Sequence, residues 1–226
     1  MLTVLNRAFI INSWHAGALC MLCAAGCQSA YYNALEEFGY HKRDLLVSRV
    51  QHAQDSQAAA KEQFKSALEA FQSVVDVDGG ELEVRYEQLN AEYERSESRA
   101  RTVSDRIDAV ESVAQALFDE WSAELDQYSD PDLRADSERS LEATQQRYGL
   151  LMDAMHRAED SMAPVLAALR DQVLALKHNL NARAIASLRG ERATVEADVA
   201  ALVAEMEAAI EEAEAFLATV DRESPP

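Results

Sequence analysis

Seven glycines and four prolines in 226 residues leave little of the punctuation that a chain of many short strands and turns requires. A sheet protein is therefore disfavoured, and an all-α fold is expected. Cysteine is nearly absent: Cys20, Cys23 and Cys27 are the whole complement, so no spaced Cys/His zinc set and no disulfide framework can be written for the body of the chain. Positive charge is scarce too. Forty acidic residues against 21 Lys and Arg give a net charge of -19, spread along the chain, and a polyanion would be repelled; nucleic acid is not an expected partner. No glycine-rich phosphate loop and no nucleophile elbow occurs.

The cysteines point to the N-terminus. Arg7 supplies a positive charge, "AGALCMLCAA" an apolar run, and Ala24, Ala25 and Gly26 small residues immediately before Cys27. This resembles a bacterial lipoprotein signal (residues 1–26), which implies lipidation of Cys27, cleavage before it and a mature chain with a single sulfur. Ala24 stands where Leu is commoner, and Asn12, Ser13 and His15 interrupt the start of the run. The alternatives are ordinary signal cleavage or an uncleaved anchor, although Ala8 to Gly26 is only about the minimum needed to span a bilayer.

The following tract, "CQSAYYNALEEFGYHKRDLL", resembles an uncharacterised family of Gram-negative lipoproteins of the domain-of-unknown-function type. Cys27, Tyr31, Tyr32, Glu36, Gly39, Lys42, Arg43 and Asp44 carry the resemblance, which continues through "AKEQFKSALEAFQSVV". It implies a lipid-anchored helical protein of the cell envelope with no activity to transfer. Gln28 after Cys27 resembles lipoproteins forwarded to the outer membrane, so its periplasmic face is the implied location. Tyr31 and Tyr32 are candidate interface aromatics, suited either to the lipid boundary or to the bundle end.

Beyond this anchor-proximal segment (27–44) the chain is periodic. From Leu46 the 4,3 spacing picks out Val50, Ala53, Gln57, Ala60, Phe64, Ala67, Phe71 and Val74, a heptad seam with one polar member. Gly79 and Gly80 then permit a reversal. A second seam runs Leu82, Tyr86, Leu89, Tyr93, Ser96, Ala100, Val103, Ile107, Val110, Ala114, Leu117 and Trp121. "YSDPDL" is the next reversal, with Ser129 or Asp130 as cap and Pro131 at the first helical position. A third seam includes Leu141, Thr144, Tyr148, Leu151, Met155, Ala158, Met162, Val165 and Leu169. The last runs Val195, Val199, Leu202, Met206, Ala209, Ala213, Phe216 and Val220.

A single helix over 131–221 would leave half its apolar face uncovered, so a break is required. Gly190 is the preferred place, because Arg183 and Arg189 precede it and Glu191 and Glu196 follow. Pro164 is second choice. The expectation is an elongated antiparallel helical bundle or coiled coil over 45–221, of three long helices and a shorter fourth: about 30–77, 81–128, 131–189 and 191–221, with a frayed tail at 222–226.

Candidate chemistry is thin. Asp153 and His156 share a helix face, but a di-metal bundle site needs a second acid-plus-histidine pair and two further carboxylates. "DVDGGE" at 76–81 has glycine where a calcium loop needs an oxygen ligand. No catalytic, metal or cofactor residues are assigned, and an enzyme is not expected. One basic stretch departs from the general acidity: Arg170, Lys177, Arg183, Arg189 and Arg192 form a candidate partner surface, or pair with the acidic start of the next helix. The function expected is a lipid-anchored periplasmic coiled-coil protein, structural or interacting, with an unidentified envelope partner and room for oligomerisation through its coiled coil. A membrane-remodelling helical protein is the alternative, set back by the charge, and an enzyme or metal-binding helical bundle ranks behind it.

Overall fold

The computed structural model describes residues 32, 41–76, 81–178 and 182–222. Among them are four α-helices and no strand: α1 (Lys42–Val75), α2 (Leu82–Glu124), α3 (Pro131–His178) and α4 (Ala182–Arg222), with a 3-10 turn at Leu125–Gln127 closing α2. Their 34, 43, 48 and 41 residues correspond to about 51 to 72 Å of helix.

The helices form a ring in which α1 lies against α2 and α4, and α3 lies against the same two. Cross-helix bonds set the directions. Gln63 meets Glu92 while Lys42 meets Glu120, so α2 runs antiparallel to α1. Phe118 packs edge-on to Tyr148 and Trp121 donates to Ser137, which reverses α3 against α2. Gln72 pairs with Glu196 and Gln54 with Glu214, which closes α4 on α1 in the opposite direction.

All nine positions of the first seam are buried, Gln57 among them. So are all eight of the last, from Val195 to Val220. The middle seams widen: Val113 and Phe118 join on α2, and Met152 and Ala154 on α3, while Tyr86, Tyr93, Trp121 and Tyr148 pack half-buried at the margins. A helix that covers two neighbours needs a broader stripe than a two-position seam. The result is one continuous core along the bundle.

Three boundaries differ from the sequence expectation. The third reversal lies between His178 and Ala182, not at Gly190 or Pro164. Gly190 sits exposed inside α4 with open space where a Cβ would stand, and an exposed glycine in a helix costs only about 1 kcal/mol relative to alanine. Pro164 lies within α3 with its ring exposed, so the carbonyl it leaves unbonded faces water while Met162 and Val165 remain buried beside it. The fourth helix is consequently longer than the first.

The helix expected from residue 30 is also interrupted: Tyr32 is helical, but the chain is not helical at His41. His41 is extended, with φ -72° and ψ 141°, and α1 begins at Lys42. Tyr32 lies alongside Ser112, toward the middle of α2 from Lys42's partner Glu120. A straight helix from 30 would have carried it the other way, past the bundle end. At the α2–α3 reversal Asp130 Oδ1 accepts from the amides of Asp132 and Leu133 at 2.9 and 3.3 Å, and Pro131 opens α3. The 1–26 signal, Cys27, Tyr31, Gly79, Gly80 and the 223–226 tail lie outside the described residues.

Candidate functional site

The residues that start the body of the chain converge on one end of the bundle. Lys42 stands one turn before Leu46 on the same helix face, which draws its stem under α2. Only 4% of its side chain is exposed, and its Nζ lies 2.9 Å from Glu120 Oε1. Its neighbour Arg43 turns the other way and donates to the Val220 carbonyl at 2.7 Å, joining the start of α1 to the end of α4. Tyr32 is 6% exposed, with its hydroxyl 2.7 Å from Ser112 Oγ. Between these ties lies a cavity of about 220 Å³ lined from all four helices, by Leu46, Trp121, Thr144 and Val220 with Arg43, Glu120 and Glu124. Its volume is that of a few side chains, and most of its polar groups are already engaged: Arg43 with the Val220 carbonyl, Glu120 with Lys42, Trp121 with Ser137 and Thr144 with the Ser140 carbonyl.

The opposite end carries the basic stretch. Arg192 bonds Asp76 at 2.9 Å and Glu196 at 2.8 Å, and Arg189 donates to the Val75 carbonyl at 3.1 Å. The Arg192 guanidinium and then the Gln72 amide hold the Glu196 carboxyl below its ordinary range. Two of the five candidate partner cations therefore clasp α4 to the end of α1. Arg170, Lys177 and Arg183 are exposed, as is Leu174 between the first two.

A third group lies between α2 and α3. His156 Nε2 is 3.1 Å from Glu111 Oε1 across the helix pair, and Asp153 points outward, exposed. Nearby, the Tyr148 phenol is pushed up to about 12, first by burial and then by the Glu111 charge. Among the described residues no three His, Cys, Asp or Glu side chains gather as a metal site would require. Among them, too, no helix is long and apolar enough to cross a membrane.

The sequence pattern found the seam aromatics and the basic stretch but missed the ties at the near end. Lys42 was legible as an i,i+4 neighbour of Leu46. The Tyr32–Ser112 pairing had no signal, because it joins residues eighty apart across a change of chain direction that no periodicity records.

An all-helical antiparallel bundle, its N-terminal chain stitched to one end and its basic stretch at the other, defines the class: a helical-bundle protein. Within that class the chain belongs to the family described as Protein of unknown function (DUF2959), which matches residues 31–220. No curated protein and no solved structure matches it.

Proposed function

We propose that this chain is a lipid-anchored interaction protein of the cell envelope, attached through Cys27 at the periplasmic face of the outer membrane and presenting a partner surface at the far end of its bundle. The observation that carries this reading is the polarity of the bundle. The chain that follows Cys27 is tied to one end through Tyr32, Lys42 and Arg43, whereas Arg170, Lys177 and Arg183 stand exposed toward the other. On a protein of net charge -19, a local run of exposed cations favours an acidic partner surface there. Membrane remodelling is the weaker reading, because so acidic a chain is repelled by anionic lipid.

The test is photo-crosslinking in cells from positions 170, 177 and 183 against positions 62 and 99 midway along the bundle. The proposal expects a partner captured from the first set only, and lost in Cys27→Ala. Capture from the mid-bundle set alone, or full function of the untethered protein, would contradict it.

A further inference from the structure

We infer that the cavity enclosed by all four helices at the near end is a binding site for a small, uncharged apolar molecule, of about the size of benzene to indole. The site does not depend on the proposed anchoring through Cys27.

The helices do not end together. Lys42, the first residue of α1, pairs with Glu120, so α2 runs on past α1 through Glu124 and its closing turn. On the other side Glu205 of α4 lies level with Arg157 of α3, and α4 stops at Arg222, which leaves the first residues of α3 beyond it too. The layer of Leu46, Trp121, Thr144 and Val220 is thus the last that all four helices enclose. Its member from the third seam, Thr144, is short where its seam neighbours Leu141 and Tyr148 are long, and the space that a longer side chain would fill stays open, about 220 Å³ of it.

Protein interiors seldom keep a void larger than a water molecule, because the side chains around it lose contacts. This one is braced. Lys42 ties α1 to α2 through Glu120, Arg43 ties α1 to α4 through the Val220 carbonyl, and Trp121 ties α2 to α3 through Ser137, so three bonds hold the walls apart. A preformed space costs a ligand little to enter. The same bonds set its chemistry: the Trp121 N–H is spent on Ser137 and the Thr144 hydroxyl on the Ser140 carbonyl at 2.8 Å, leaving mainly Leu46, Leu117, Val220 and the indole ring to contact a guest. The charged groups at the rim, Arg43 with Glu120 and Glu124, are of both signs and select neither an anion nor a cation. A charged guest would lose its hydration without a dedicated partner. An apolar protein cavity of about 150 Å³ holds benzene, so this one accommodates a molecule somewhat larger.

The test uses the full chain carrying Trp14→Phe, which leaves Trp121 the sole tryptophan, reconstituted into phosphatidylcholine vesicles so that no detergent competes for the site. Bromobenzene is the probe, because its heavy atom quenches indole emission on contact. Saturable quenching is expected in this protein and in Thr144→Val, which keeps the size of the side chain. Thr144→Phe places a ring in the space and should bind bromobenzene about tenfold more weakly or worse, with a melting temperature no lower than that of Thr144→Val. Para-bromobenzoate and para-bromobenzylammonium should each bind about tenfold more weakly than bromobenzene or worse. Quenching that rises without saturation, or equally in all three proteins, would overturn the site. So would a Thr144→Phe protein that melts lower than Thr144→Val, since the ring would then have met no open space. Charged probes that bind as tightly as bromobenzene would overturn the class of ligand.

Discussion

Gln57 is the most exacting residue in the protein. It occupies a seam position between Ala53 and Ala60, is fully buried, and neither its amide nitrogen nor its carbonyl oxygen meets a hydrogen-bond partner among the described residues. A buried polar group left unpaired costs about 1 to 3 kcal/mol. Gln57→Leu keeps the seam apolar and should therefore raise stability by about that amount, measured as an upward shift in the urea midpoint; a fall would mean that the amide holds a partner or fixes the register. Tyr148 gives a pH-dependent counterpart. Its phenol ionises at about 12 in the folded protein against 10.0 in the free side chain, so the folded state holds the proton that the unfolded chain releases. That part of the stability is intact below pH 10 and is lost as pH rises toward 12. Tyr148→Phe should flatten the decline in melting temperature across that window, and an unchanged slope would show that the ring is not buried against Phe118.

At the level of the helices, seam positions were the most legible part of the sequence. Leu46 to Val74 and Val195 to Val220 were recoverable by counting because each is an unbroken heptad run whose members are nearly all aliphatic or aromatic. The reversal before α4 was not. Gly190, flanked by arginines and glutamates, imitates a helix end in charge and residue type, whereas His178-Asn179-Leu180-Asn181 marks the reversal only through its two asparagines. Burial decided the matter: Ile185 and Leu188 are buried and continue the α4 seam toward Val195, so a break at 190 would have cut through packed core. Gly190→Ala discriminates the two. Inside an exposed helix with open space at the Cβ it should stabilise by about 0.5 to 1 kcal/mol, read from thermal unfolding. At a left-handed helix end the same substitution would destabilise.

The whole molecule is a bundle with distinguishable ends, and that polarity came from the structure. Lys42 and Arg43 were conspicuous in the sequence only as members of a motif, and Tyr32 also as an aromatic suited to the lipid boundary or the bundle end; folding shows what each holds, Lys42 to Glu120, Arg43 to the Val220 carbonyl and Tyr32 to Ser112. The basic stretch was legible as a composition shift, but its division was not: Arg189 and Arg192 lock the far end through Val75 and Asp76, leaving Arg170 and Lys177 facing outward. The proposed function depends on the near end being held at a membrane through Cys27. The direct measurement is incorporation of labelled fatty acid in cells producing the full chain or its Cys27→Ala variant. The account predicts label on the wild-type protein, none on the variant, and release of the variant from the membrane fraction. Label retained by Cys27→Ala, or a wild-type protein that takes up none, would contradict it.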